Sequence, residues 1–156
     1  MSDASTKVFS TSQITHIGSG ASIAAGGLSV SADVSTALSF SGNLARYPRC
    51  DVVLSIAPTA SIALASCYLN LYRREMAIDG ANNAAAPGAS NKRTYVGTFQ
   101  VAAATVASTT HYTQLTDIPL SGTNDCQFYL ENTLAVNIPA GWTLKITPKT
   151  DVGATA

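Results

Sequence analysis

Hydrophobic positions along this chain recur at every second residue, in short runs separated by turn-forming clusters. The clearest run sets Cys50, Val52, Leu54 and Ile56 against Asp51, Val53 and Ser55, and Pro58 ends it. A period of two is that of a half-buried β-strand, whose successive side chains point to opposite faces. A second run alternates Cys67, Leu69 and Leu71 with Tyr68, Asn70 and Tyr72 and closes in Arg73, Arg74 and Glu75. From Arg93 to Val101, Tyr95, Gly97, Phe99 and Val101 share one face, and Thr94, Val96, Thr98 and Gln100 the other. Glycine in mid-strand predicts a bulge or a close approach by another segment. Tyr112, Leu115, Ile118 and Leu120 then lead through Asp117 and Pro119 toward a turn at Gly122. Cys126, Phe128 and Leu130 alternate with Gln127, Tyr129 and Glu131. The turn Pro139-Ala140-Gly141 introduces a last inner face, Trp142, Leu144 and Ile146, which stops at Pro148 and leaves 149–156 as a short frayed tail.

No segment carries a helical period of 3.6 residues, so about eight short strands are expected. The fold class is all-β: an antiparallel β-sandwich, jelly-roll-like, with a closed barrel as the alternative. Phe99, Phe128 and Trp142 are the natural core pieces. The first 45 residues are different in kind. Ser, Ala, Gly and Thr fill 27 of these positions, and Asp33 is the only charge between Val8 and Ala45. Leu28 and Val30 alternate with Ser29 and Ser31, and Leu38 and Phe40 with Ser39 and Ser41. Residues 1–45 are therefore expected to form an extended N-terminal segment, an arm or weak strands, that packs on the domain or on a neighbour. The sandwich itself is assigned to 46–148. Asp79 to Asn91 lacks any large side chain and carries Asp79-Gly80, Asn82-Asn83 and Pro87-Gly88, the marks of a long exposed loop and a candidate contact element.

Charge narrows the functional classes. Nine Lys plus Arg balance nine Asp plus Glu, and only 12% of the 156 residues are charged. An average domain has about twice that density. Zero net charge argues against nucleic-acid and anionic-membrane partners, and a sparsely charged surface favours association with other proteins. Met1 to Lys7 has no secretory signature, and no run approaches the ~20 apolar residues of a membrane helix, so a soluble protein made in a cytosol is expected. Cys50, Cys67 and Cys126 form no CxxC pair and read as reduced thiols in strands.

Candidate chemistry is sparse. Gly18-Ser19-Gly20-Ala21-Ser22-Ile23 lacks the third glycine of a dinucleotide fingerprint and reads as a flexible turn. There is no nucleophile elbow and no phosphate loop. His16 and His111 have no partner at a metal-ligand spacing and read as surface strand residues. Asp117, Asp125 and Glu131 read as turn formers or solvated acids, not as a catalytic carboxylate pair. A non-enzymatic protein with no catalytic residue, metal or cofactor is expected. The candidate contact residues are basic: Arg46, Tyr47 and Arg49 open one strand, and Arg73 and Arg74 close the next. Adjacent antiparallel strands would bring both groups to one edge, to dock an acidic or aromatic surface, and Lys92 and Arg93, which follow the long loop, are further candidate contacts. The plainer alternative is that they cap strand ends.

The series Tyr68-Leu69-Asn70-Leu71-Tyr72-Arg73, a small-residue loop, Tyr95-Val96-Gly97-Thr98-Phe99, Phe128-Tyr129-Leu130-Glu131-Asn132 and Ala140-Gly141-Trp142-Thr143-Leu144-Lys145-Ile146 resembles small virion structural proteins of tailed bacteriophages, the capsid decoration or cement type. The resemblance covers about residues 46–148, without the small compact layout of the better-known decoration proteins. It implies a jelly-roll-like domain on the outer capsid surface of a virion, synthesised in the host cytoplasm. Its implied partner is the major capsid protein, whose neighbouring subunits it would bridge as a homo-oligomer, a dimer or trimer. The alternatives are a tail or fibre-associated β-sandwich, and a carbohydrate-binding module with Tyr68, Tyr72 or Tyr112 stacking on sugars.

Overall fold

The computed structural model describes residues 6–9, 13–29, 47–62, 67–76, 78–88, 94–101, 107–120 and 125–152. Among them are eight strands and no helix: β1 (Thr6–Phe9), β2 (Ile14–Gly20), β3 (Arg49–Ile56), β4 (Tyr68–Glu75), β5 (Tyr95–Gln100), β6 (His111–Pro119), β7 (Cys126–Asn132) and β8 (Trp142–Val152). They form two antiparallel sheets. One has the order β2-β8-β3-β6, with β1 taking over from β2 along the second half of β8, and the other has the order β7-β4-β5. Residues 27–29 extend the second sheet past β7: Leu28 bridges Glu131, Ser29 N–H donates to Leu130 O, and Asn132 N–H donates to Gly27 O, both at 2.8 Å. Counting that segment as a strand, the pairing is nested. β2 meets β8, 27–29 meets β7, β3 meets β6, and β4 meets β5, so one long antiparallel hairpin is folded over into two facing sheets.

The alternation seen in the sequence sets the faces. Cys50, Val52, Leu54 and Ile56 of β3 and Trp142, Leu144 and Ile146 of β8 point inward, against Leu69 and Leu71 of β4, Phe99 of β5, and Phe128 and Leu130 of β7. All are at most 2% exposed, and each such side chain contributes about 1.5–3 kcal/mol by leaving water. Val96 is an extra residue opposite the Leu71–Tyr72 step, and a Cβ on Gly97 would stand 2.9 Å from Leu115 Cδ1. Both features expected at this glycine, the bulge and the close approach, are present.

Both ends of the chain are tied into the sheets. The described part of the small-residue segment packs on the domain: β1 and β2 line β8, and 27–29 lines β7. Val30, Leu38 and Phe40 lie outside the described residues. Residues 149–152, expected as a frayed tail, form the end of β8 and pair with β1. Pro148, the expected stop, lies where the ladder passes from β2 to β1, and the strand continues through it. Asp117 and Pro119 belong to β6, where a register shift opposite Cys50 and Val52 accommodates Asp117 at φ 65°, and the turn expected at Gly122 lies outside the described residues.

Two residues of β2 show how tightly this edge is fitted. Gly20 pairs with Trp142, and a Cβ there would lie 2.0 Å from the indole ring, which donates Nε1–H to Ala21 O at 2.7 Å. The Gly-Ser-Gly motif thus ends a strand instead of forming a flexible turn. His16, expected at the surface, is buried, because two register shifts in β2 turn both it and Ile17 inward. Its Nε2 accepts the Phe128 backbone N–H at 3.1 Å, and its ring meets the Phe128 ring edge-on at 5.7 Å. Burial pulls the imidazole pKa down to about 4.

Gly20→Ala is expected to lower the unfolding free energy by about 2–3 kcal/mol through overpacking, while Gly18→Ala, whose Cβ would meet nothing closer than 3.4 Å, costs under about 0.5 kcal/mol. Urea unfolding of both variants checks this, and equal losses would show that the indole has room to move. A folded pKa below the unfolded ~6.5 means that the His16 contribution is complete above that pH and is lost on acidification toward 4. By pH 5 about 2 kcal/mol should be gone. His16→Gln, which keeps an acceptor but cannot take the proton, should flatten the pH 5 to 7 stability profile.

Candidate functional site

The sandwich has two ends, and they differ in chemistry. At one end lie the start of β3, the end of β4, the start of β5 and the ends of β6 and β8. Here Lys149 is buried on the outer side of β8, with Nζ 2.5 Å from Asp51 Oδ1 and 3.0 Å from Asp117 Oδ1. The positive φ of Asp117 turns its backbone N–H onto Asp51 Oδ1 at 2.9 Å and its carboxylate onto Arg49 Nη1 at 2.6 Å. Burial alone would lower the Lys149 pKa, but its bonds to Asp51 and Asp117 outweigh that and raise it. Asp117 is therefore part of a charge network, not a turn former.

The basic contact residues expected from sequence meet by a different route. β3 and β4 are not adjacent strands of one sheet; they lie in opposite sheets, so no common edge forms. Arg49 and Arg73 nevertheless reach the same end, because Arg49 is the register partner of Pro119 and Arg73 Nη1 donates to Pro119 O at 2.8 Å. Arg73 Nε also stands 2.7 Å from Glu75 Oε1. Arg74 points to the other face and donates Nε–H to Ala84 O at 2.7 Å. Tyr47 is buried. Arg46, Lys92 and Arg93 lie outside the described residues. Each described arginine thus holds a local structure. Between Arg73, Thr94, Tyr95, Val96, Ile118 and Pro119 is a cavity of about 380 Å³, whose one cation among the described residues is matched by Glu75.

Among its described residues, the long loop is exposed over 78–83 and again at Ala85. Asp79 ties it by accepting the Asn82 and Ala81 backbone N–H groups and the Asn82 amide, which hold its carboxyl down near 2. Residues 84–88 return against the domain, with Ala84 N–H on Glu75 O at 2.9 Å, Ala86 packed on the core and Pro87 buried. Residues 89–91 lie outside the described ones.

The opposite end carries the described residues of four connections, 21–27, 57–62 with 67, 101 with 107–110, and 133–141. These are 28 residues; at the chain-wide 12% about three would be charged, and none is. Their described parts expose Ala24, Ala25, Thr59, Ala60, Ala135 and Ala140, among other small residues. Two asparagines bind them into one surface. Asn137 accepts Ala25 N–H through its side chain at 3.0 Å and Thr59 N–H through its carbonyl at 3.2 Å. Asn132 is fully buried and donates its amide to Ile23 O, Ala24 O and Val136 O. Ser108 N–H adds a bond to Pro58 O at 2.8 Å. Sequence reasoning did not find this end; the signal, a run of uncharged connections, appears only when every second turn is grouped by the strand order.

The outer face of the second sheet holds a third polar group. Glu131, expected as a solvated acid or turn former, is buried and accepts Asn70 Nδ2 at 2.8 Å and Tyr72 Oη at 2.9 Å. Thr98 Oγ1 donates to Asn70 Oδ1 at 2.8 Å and lies 2.6 Å from Tyr95 Oη. Burial, then the bond to Glu131, pushes Tyr72 up to about 12. Tyr72 is therefore closed to stacking, whereas Tyr68, Tyr95 and Tyr112 are exposed. In the core, burial raises the Cys50 and Cys126 thiols to about 12, so both stay protonated. Among the described residues no three His, Cys, Asp or Glu gather as a metal ion would need. The chain matches no protein-family model and no curated protein sequence.

Replacing Lys149 with Met removes the cation between Asp51 and Asp117, leaving only Arg49 to pair with Asp117, and is expected to cost about 2–3 kcal/mol in thermal or urea unfolding. Because its folded pKa is raised, the Lys149 contribution is complete below pH ~10.4 and is lost as pH climbs through the folded value. The Met variant should lack that alkaline loss; an unchanged alkaline limb would place its origin elsewhere.

Proposed function

We propose that this chain is a non-enzymatic virion structural protein of a tailed bacteriophage, which binds the outer capsid surface and bridges and stabilises neighbouring subunits. The observation that carries this reading is the nested strand pairing. With 27–29 as a strand, β2-β8-β3-β6 faces (27–29)-β7-β4-β5, the order of an eight-stranded jelly roll. That architecture recurs in viral capsid and lectin domains. The resemblance of residues 46–148 to decoration proteins points the same way. So does the unlike chemistry of the two ends, since a protein standing on a shell needs one end for the shell and another for water.

Such a protein works by mass action. It binds assembled shells and not free subunits, so shell stability grows with occupancy, by about 2.7 kcal/mol per site when the free chain is at 100 times its Kd. A second reading, saccharide binding, is favoured by one observation: exposed Tyr68 and Tyr95 flank the Asn70–Thr98 pair on one sheet face. Aromatic platforms beside fixed polar groups suit sugar rings.

Fractionated virions test the assignment. The chain should sediment with heads, and heads depleted of it should break open at lower temperature and recover when it is added back. Sedimentation with tails, retention of the free chain on a glycan column with none in heads, or absence from virions would each overturn the reading.

A further inference from the structure

We propose that the charge-free end of the sandwich is the docking end, and that its partner is an uncharged patch of the shell protein. This rests on the decoration reading above and adds which surface makes the contact and what it meets. Three properties of the end converge. First, the described residues of its four connections carry no charge, whereas Arg49, Asp51, Arg73, Arg74, Glu75, Asp117 and Lys149 gather at or near the other end. A charged partner group brought onto this end would lose water and gain no counter-charge, a penalty that selects an uncharged partner.

Second, its exposed side chains are short. Ala has no rotamer freedom to lose, and Ser and Thr have little, so ordering this surface on binding costs far less than ordering lysines or glutamates. Third, the surface is already fixed. Asn132 and Asn137 bond 21–27 to 133–138, Thr59 N–H joins Asn137 O, and Ser108 N–H joins Pro58 O, so the connections approach a partner as one body. The strand edge of β7, another route to a partner, is occupied by 27–29 and His16.

The basic residues of the opposite end make the contrary expectation concrete. Docking through Arg49, Arg73 and Arg74 would be salt-sensitive and would answer to the sign of an added charge. Docking through the neutral end has neither property.

Heads stripped of the chain and incubated with purified full-length variants supply the test, read by co-sedimentation. Ala60→Lys and Ala60→Glu, and separately Ala135→Lys and Ala135→Glu, should each weaken binding by at least about tenfold whichever sign is introduced, with melting temperatures unchanged. Gln114→Lys, exposed on β6 and away from this end, should bind like the wild type. Wild-type affinity should change by less than about twofold between low and ~0.5 M salt. If the wild-type chain does not bind stripped heads, the decoration reading fails and this inference falls with it. If it binds and the Ala60 and Ala135 variants bind equally well, or one sign strengthens binding, the inference alone is overturned. The same holds if these variants abolish self-association in light scattering while head binding is untouched.

Discussion

The outer edge of β7 is the constraint on which the rest of the molecule depends. A strand at the margin of a sheet has a row of backbone donors and acceptors that must be satisfied or left to water. Here the row is met by the chain's own beginning: Phe128 N–H by the His16 imidazole, Leu130 N–H by Ser29 Oγ, Leu130 O by Ser29 N–H, and Asn132 by Gly26 and Gly27. At Gly26, Gly27 and Ser29 the closure suits small residues without charge, because this segment lies directly against backbone. It also requires a neutral His16, which ties the integrity of the edge to pH.

Much of the fold is legible in the residues because alternation is a local signal. β3, β4, β5, β7 and the start of β8 can be read directly from which side chains are large. What failed to be legible were events that need two segments at once. His16 and Asp117 break their strands' alternation only because a partner strand slips in register, and no single strand announces a slip. Glu131 looks like any solvated acid until Asn70 and Tyr72 are set across the sheet from it. Pro148 has the usual meaning of a stop, overridden here where one ladder hands over to another. For the candidate site the outcome is similar. Basic residues did converge, although across two sheets and mostly in service of their own loops, and the uncharged end was hidden by being spread over four distant stretches of chain.

The two ends express a division of labour within one small domain. Charge is concentrated where strands need fastening: Lys149 between two carboxylates, Arg73 on Pro119, Arg74 on the returning loop. The same groups keep that end hydrated. At the far end, fastening is done by amide side chains, which hold connections together without adding formal charge. Asn132 and Asn137 thus perform the tasks that ion pairs perform elsewhere in the molecule, and leave a surface with no charge to desolvate.

Strand β8 is central to its sheet, with β3 on one side and β1 and β2 on the other, yet it leaves the ribosome after all of them. β1, β2 and 13–29 must therefore wait, unpaired, through the synthesis of more than a hundred residues, and the indole that seats on Gly20 arrives only with Trp142. Contacts this distant along the chain make folding slow and all-or-none. An interrupted translation product would lack the strand that joins the two halves of its first sheet. Completion of synthesis is in effect a licence to fold, so that only finished copies close both sheets.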